Sequence, residues 1–310
     1  MSDRLPPLTA LRAFEAAARH LSFAKAAAEI GVTPAALSFQ IRSLEDHFGA
    51  PLFRRMNRAV ALTEAGRTLS PGATDGFERL SAAWRAARRT LEGAPLTVTA
   101  GPGFTAKWLA PRLFAFAAAN PDIELRFSAS LRLMDFERDE VDVAIRFGQS
   151  ADDGLFSRTI IDEWLCPMMT PRLAERVRAP EDLLALPLIH QDDIAFIKPA
   201  VDWPAWFDRI GVAHGPLGGP RFSQADHAVD AALAGAGAVL GRASMAEGHL
   251  REGQLVMPFD LALRANATYR LVCPEGAEER PRVKRFMDWV LAETESIREL
   301  GETRRFGPDQ

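Results

Sequence analysis

The chain has 310 residues, of which 47% are hydrophobic and 25% charged, a composition too apolar for a disordered chain and a length beyond what one core usually spans. Its net charge of −4 is unevenly spread: residues 1–92 hold 13 Lys and Arg against 9 Asp and Glu, and the remainder holds 24 against 32. Positive excess confined to one part hints at a surface facing nucleic acid, although an ordinary mixed surface carries the same balance.

In chain order, the first residues lack an apolar run behind a basic flank, so no signal peptide is expected. The alanine-rich text after Leu8 predicts three short helices over residues 8–19, 23–30 and 34–47, broken at Leu21-Ser22 and at Gly31-Val32-Thr33. Apolar–polar runs on either side of Met56-Asn57-Arg58 read as a small hairpin. Leu69, Ala73, Phe77, Leu80, Trp84, Ala87 and Leu91 then form one stripe along a helix over 64–92, in which Pro71-Gly72 predicts a kinked or late first turn. The stripe can pack on its own domain, but a narrow seam of that length suits a second copy of the helix. Gly93-Ala94-Pro95 ends it and makes a linker.

Strands at 96–100, 123–128, 141–147 and 269–273, with an apolar run at 238–240, alternate with helices at 103–120, 224–235 and 282–295. That order predicts an α/β domain of mostly parallel strands, with crevices at their carboxyl ends. No window of about 18 uncharged apolar residues occurs, so no membrane span is expected. Cys166 and Cys273 fit no metal spacing and build no disulfide framework; the expectation is a cytoplasmic protein without metal or cofactor.

The segment from Leu21 to Glu45 carries the strongest chemistry. Ser22 can cap the second helix, small Ala27 and Gly31 admit a sharp turn, and Thr33 can cap a third helix that opens on Pro34. On that third helix Leu37, Ile41, Leu44 and Phe48 share the core side, while Ala35, Phe39, Arg42 and Asp46 project opposite, flanked by Ser38 and Ser43. Such a face suits the major groove. Ser38 and Gln40 can hydrogen-bond base edges, Phe39 can meet a thymine methyl, and Arg42 can take phosphate or guanine. Lys25 belongs to the same surface, and Arg54, Arg55 and Arg58 in the hairpin are placed for the flanking phosphates, which add affinity without sequence choice.

Leu8-x-x-Leu11-Arg12-x-Phe14, Leu21-Ser22-Phe23-x-x-Ala26-Ala27, Ala36-Leu37-Ser38-x-Gln40-Ile41-x-x-Leu44-Glu45, Pro51-Leu52-Phe53-Arg54-Arg55 and Leu62-Thr63-x-x-Gly66 together resemble the N-terminal signature of the LysR-type transcriptional regulators. Arg4-Leu5-Pro6-Pro7-Leu8, Ala16-Ala17-Ala18-Arg19-His20, Trp108-Leu109-x-Pro111-Arg112-Leu113 and Leu271-Val272-Cys273 are similar to its branch of glycine-cleavage and β-lactamase regulators, from which Pro34 and Phe39 depart. The resemblance implies a winged helix-turn-helix over 1–63, a dimerising linker helix over 64–92, and an effector-binding domain over 95–302. That domain would have two lobes like a periplasmic binding protein, about 95–162 plus 268–302 and about 163–267. It further implies double-stranded operator DNA as partner, a small-molecule effector such as an amino acid or small carboxylate, and a homodimer that pairs into a homotetramer.

Within the C-terminal half, Gly103, Phe104 and Thr105 open a helix after a strand, where free amides and a hydroxyl can hold a carboxylate. Arg146, Phe147 and Gly148 end another strand with a cation and an aromatic wall, and His190-Gln191-Asp192 and Phe222-Ser223-Gln224 can close over a ligand. Each has a plainer alternative: Gly103 as a mere turn, Arg146 paired with a structural carboxylate, His190 as a structural histidine. Catalysis has little support. Gly235-x-Gly237-x-x-x-Gly241 follows a helix rather than a strand, no hydrolase or P-loop spacing occurs, and Cys166 and Trp203-Pro204-Ala205-Trp206-Phe207 read as packing. The competing reading is a cytoplasmic α/β ligand-binding protein or enzyme whose N-terminal helices only dimerise.

Overall fold

The computed structural model describes residues 5–56, 59–88, 95–136 and 138–306. The chain divides into two compact units, Met1–Thr90 and Leu91–Gln310. Asn57, Arg58, Leu91 and the linker residues Gly93 and Ala94 lie outside the described residues, as does the side chain of Arg55.

In the first unit α1 (Leu8–His20), α2 (Phe23–Ile30) and α3 (Pro34–Phe48) close around Phe14, Ala17, Ala26, Leu37, Ile41 and Leu44. Small residues let α1 and α2 approach, and Gly31, at φ +71°, turns the chain sharply into α3 with nothing near the place a side chain would fill. Phe48 departs from the expected core side and is 53% exposed, as the last residue of α3 before the chain turns away at Gly49. β1 (Phe53–Met56) and β2 (Ala59–Leu62) pair antiparallel, with Phe53 opposite Leu62.

α4 (Glu64–Arg88) runs through Pro71 without a break, so the expected delayed start does not occur. The helix is started upstream, at Thr63. Its hydroxyl accepts the Gly66 N–H (3.1 Å) and donates to the Pro51 carbonyl (2.9 Å). A β-carbon on Gly66 would stand 2.3 Å from the Leu52 carbonyl oxygen, so only glycine lets α4 lie this close to the chain entering β1. By the time Pro71 is reached, two turns have been set, and it forfeits one backbone hydrogen bond inside an established helix.

The second unit is mixed α/β. In order it contains β3 (Leu96–Ala100), α5 (Pro102–Phe104), a π-helical turn (Thr105–Leu109) leading into α6 (Ala110–Ala119), β4 (Leu125–Ala129), β5 (Val143–Gly148) and β6 (Leu155–Met168). Next come α7 (Pro171–Ala174), β7 (Leu188–Gln191), α8 (Trp203–Ile210), β8 (Arg221–Phe222), α9 (Ala225–Leu233), β9 (Ala238–Arg242) and α10 (Ala243–Arg251). β10 (Leu261–Pro274), α11 (Pro281–Glu302) and β11 (Arg305–Phe306) complete it. The sheet runs β4-β3-β5-β10-β6-β9-β7-β8, with β11 beside β10.

Both flanks are parallel, as expected, but the centre is antiparallel: β10 pairs with β5 and β6, and β6 with β9. β6 and β10 are 14 residues each, far longer than the 269–273 segment that the sequence pattern marks. They carry the chain between the two flanks in opposite directions, and their register shifts between Arg264 and Thr268 and again at Tyr269–Arg270. A core that includes Val98, Phe104, Trp108, Ile145, Leu271 and Phe286 extends from the β3–β5 flank to Ile189, Val229 and Val239, and a second one lies around Trp203, Trp206 and Phe207. The Trp203–Phe207 segment is therefore packing, as its composition suggests, and Cys166 is core. No described helix is long and apolar enough to cross a membrane.

Candidate nucleic-acid interface and ligand cleft

The first candidate site is the outer face of α3. Phe39 is 69% exposed, and Pro34, Ala35 and Arg42 are exposed beside it, so the face that projects from the core in sequence projects from it in space. Caps hold it: the Ser22 hydroxyl accepts the Lys25 N–H (3.4 Å), and the Thr33 hydroxyl accepts the Ala36 N–H (3.2 Å). Each hydroxyl keeps its own proton for a further acceptor. Lys25 and Arg54 are exposed, and Ser38 is half-buried. Gln40 departs from the expected role, because it is half-buried and turned to α1, where its Oε1 accepts the Thr9 hydroxyl at 3.4 Å.

Glu45, which the chemistry of base contacts passes over, sets the position of the hairpin. Its Oε1 accepts the N–H of Leu52 (2.8 Å) and of Phe53 (3.0 Å), so β1 hangs from the last turns of α3. Between α1 and α2, Arg19 pairs with Glu15 and Glu29, and hydrogen bonds from Arg19 and His20 hold the Glu29 carboxyl down at about 2.

The second candidate is a cavity of about 310 Å³ in the C-terminal unit, at the end of β3, the start of α5, the end of β5, and the segments around Asp193, Asp226 and Arg242. Hollows of about 540 and 850 Å³ open elsewhere, but neither gathers a buried side-chain polar atom lacking a partner among the described residues. The smaller cleft gathers three: Asp193 Oδ1, Asp226 Oδ1 and Arg242 Nε.

Of the sequence candidates, Gly103, Phe104, Arg146, Phe147 and Gln224 line this cleft. The others do not. The Thr105 hydroxyl donates to the Gly101 carbonyl (2.9 Å), one turn back in its own helix, which is the ordinary fate of a helical threonine. The Gly148 carbonyl accepts Arg270 (2.8 Å). His190 and Gln191 line a separate hollow of about 240 Å³ beside Trp203, since β7 lies toward the far edge of the sheet. Phe222 packs on the core and Ser223 is exposed, while Ala225 and Asp226 at the start of α9 reach the cleft beside Gln224.

Arg146 has the structural carboxylate that was its plainer alternative. It donates to Asp152 (3.1 Å) and to the Met134 carbonyl (3.1 Å), and Asp152 also accepts Arg270 (2.8 Å) and Ser157 (3.0 Å). Burial pushes the Asp152 carboxyl up, yet the hydrogen bonds from Arg270, Arg146 and Ser157 outweigh it and hold the group below its ordinary range.

The cation at the centre of the cleft is Arg242, only 4% exposed, which donates to Asp193 Oδ2 (3.0 Å) and lies 4.8 Å above the Phe147 ring. Tyr269 is stacked between Phe104 (4.4 Å) and Phe147 (4.6 Å). Beneath, buried Glu163 accepts the Ser244 hydroxyl and the N–H groups of Ser244 (3.3 Å) and Trp164 (3.2 Å). Burial raises Glu163, Asp193 and Tyr269 above their ordinary values. Sequence reasoning missed Arg242 because it ended the apolar run at Leu240; a charge closing a buried strand was the available signal.

A capped three-helix head with an arginine-bearing hairpin, on one chain with a mixed α/β ligand-type domain, defines a DNA-binding regulator. Residues 8–67 match the family described as bacterial regulatory helix-turn-helix protein, lysR family, and residues 89–295 match the LysR substrate binding domain, so the chain belongs to the LysR family of bacterial transcriptional regulators. It is similar to the glycine cleavage system transcriptional activator of Escherichia coli K12, at 39% identity over 96% of this chain and 97% of that one. It is also similar to the transcriptional activator AmpR of Citrobacter koseri, at 34% identity over 92% and 97%. Among solved structures, the effector domain of AmpR from Pseudomonas aeruginosa covers 67% of this chain and is itself fully covered, at 29% identity and a TM-score of 0.54. The chain is thus a regulator and not an enzyme, and the reading of its N-terminal helices as mere dimerisation elements is displaced.

Proposed function

We propose that α3 enters the major groove of operator DNA with Ala35, Ser38, Phe39 and Arg42 toward the bases, while Ser22, Lys25, Thr33, Pro34 and the hairpin arginines Arg54, Arg55 and Arg58 meet the backbone. The observation that carries this is the exposed Phe39–Arg42 face on a helix capped at Thr33 and tied to the hairpin through Glu45. The head spans 1–63, the linker helix 64–92 and the effector-binding domain 95–302, and a small molecule binds between lobes of about 95–162 plus 268–302 and about 163–267. Its differential affinity for two lobe arrangements shifts the spacing of paired heads. The setting is the cytoplasm, where operator DNA lies, and the names of the relatives favour activation.

Self-association is supported by two uncovered apolar faces. On α4, Leu69 and Ala73 pack on the head and Phe77 is half-buried, but Leu80 and Trp84 are 54% and 69% exposed. On α6, Ala110, Pro111, Phe114, Ala115 and Ala118 form an exposed face without charge, with Phe114 84% exposed. The first face makes a dimer and the second joins dimers into a tetramer.

The test is binding of labelled duplex from the chain's own upstream region across a salt series. Arg42→Ala and Arg54→Ala each lower affinity and reduce the slope of log affinity against log salt by about one. Unchanged binding and slope in both variants refutes the assignment.

A further inference from the structure

The partnering of polar atoms in the cleft specifies what its ligand must bring. Buried carboxylate oxygens and guanidinium N–H groups that lack partners are rare in folded proteins, since each forfeits hydration without replacement. Here three such atoms share one cavity: two acceptors, Asp193 Oδ1 and Asp226 Oδ1, and one donor, Arg242 Nε–H. They are neighbours in space. Asp193 Oδ2 holds Arg242 at 3.0 Å, and the Asp226 charge acts on both of them. Two carboxylates, Asp193 and Asp226, face the one guanidinium of Arg242, and the other arginines of the lining, Arg132 and Arg146, are already paired with Asp139 and Asp152, so the spot favours an added positive charge.

A simple carboxylate meets this site badly. It satisfies the Arg242 N–H but places its own charge beside two aspartates. A simple amine satisfies the aspartates and leaves the Arg242 N–H unmet. A ligand with an ammonium group next to an acceptor oxygen satisfies all three atoms and supplies the positive charge as well. Around the mouth the lining changes: Leu131, Leu133 and Phe196 are exposed there, with Met134 and Met245 further in, while the polar residues of that segment are engaged with each other and with Asp139, Ser130 accepting the Arg132 N–H (3.0 Å) and Arg132 donating to Asp139 (2.7 Å).

We infer that the cleft takes an α-amino compound with an apolar side group, its ammonium group on Asp193 and Asp226 and its neighbouring carbonyl or carboxylate oxygen on the Arg242 Nε–H. This rests on the reading that a small molecule binds in the cleft. A free amino acid and the first residue of a short peptide share this chemistry.

The experiment is titration calorimetry on the full chain with four probes: L-norleucine, L-norleucyl-glycine, hexanoate (norleucine without its amine) and pentylamine (norleucine without its carboxylate). Norleucine or its dipeptide binds about tenfold or more tightly than hexanoate or pentylamine, the difference expected of one hydrogen-bonded charge. The dipeptide arm tells a peptide from a free amino acid. Asp226→Asn, which breaks no ion pair among the described residues, removes that preference while retaining the folded thermal transition. Gly103→Leu, whose side chain grows toward Asp226, fills the cleft and abolishes binding.

Hexanoate binding as tightly as norleucine, with both lost in Gly103→Leu, overturns the ligand class and leaves the cleft as the binding site. Norleucine binding that survives Gly103→Leu overturns the cleft and the inference together. No heat from any of the four probes overturns the inference.

Discussion

Glu45→Ala tests whether one carboxylate positions the hairpin against the recognition helix. In the native unit its Oε1 accepts two backbone N–H groups, from Leu52 at 2.8 Å and Phe53 at 3.0 Å, in a part-buried place. A hydrogen bond to a charged group contributes roughly 1.5–3 kcal/mol, so losing two and stranding both amides costs about 3–5 kcal/mol. A unit of this length holds roughly 4–13 kcal/mol in all, so the loss is a large share of it and lowers its melting midpoint by about 10 °C or more. Scanning calorimetry of the full chain measures this, the transition of the head being recognised by its upward shift on adding duplex DNA. Glu45→Gln keeps an acceptor oxygen in the same place and retains about half of the stability lost in alanine. A loss under about 1 kcal/mol in Glu45→Ala, or a glutamine variant no better than alanine, refutes the reasoning.

Three further outcomes follow from the same structure. Phe114→Glu puts a charge on the uncovered face of α6 and converts tetramer to dimer in analytical sedimentation, whereas Trp84→Glu weakens the dimer itself; unchanged mass in both removes the proposed seams. Glu29 is held at about 2, first by Arg19 and then by His20, so its ion pairing stabilises the head above pH 4.5 and is lost as pH falls from 4.5 through about 2. Acid unfolding monitored by circular dichroism shows this, and Glu29→Gln flattens the dependence in that window. Burial pushes the Cys166 and Cys273 thiols up to about 12, so neither reacts with a disulfide reagent at neutral pH until the chain is denatured, when both do.

The head was legible because its determinants are contiguous. Ser22, Thr33 and Pro34 specify where helices start, Gly31 permits the turn, and the spacing of Leu37, Ile41 and Leu44 tells α3 which side to bury; each acts within a turn or two of chain. Phe39 and Arg42 follow as the opposite side. The exceptions, Phe48 and Gln40, turn on where the chain leaves α3 at Gly49 and where Thr9 lies, which spacing along α3 does not encode. In the second unit the sequence pattern found β3, β4, β5, β9 and part of β10, with α6, α9 and α11, but not β6, β7, α8 or α10. In β10 Leu263, Ala265, Ala267, Tyr269 and Leu271 do alternate with Arg264, Asn266, Thr268 and Arg270, but alanine carries little strand preference, and the ladder to β6 breaks between Arg264 and Thr268.

The cleft was half legible. Gly103, Phe104, Arg146 and Phe147 lie where a strand ends, and strand ends can be read from composition. Which charges would meet there could not be. Arg242 finds Asp193 across 49 residues, and Arg270 finds Asp152 across 118. Helix faces, caps and turns are decided among near neighbours along the chain, so amino-acid order alone dictated the DNA-binding head. Electrostatic partnership in a low-dielectric interior depends on which strands the sheet sets side by side. Packing at long range therefore chose Arg242 over Arg146 as the cation left with an unfilled hydrogen bond.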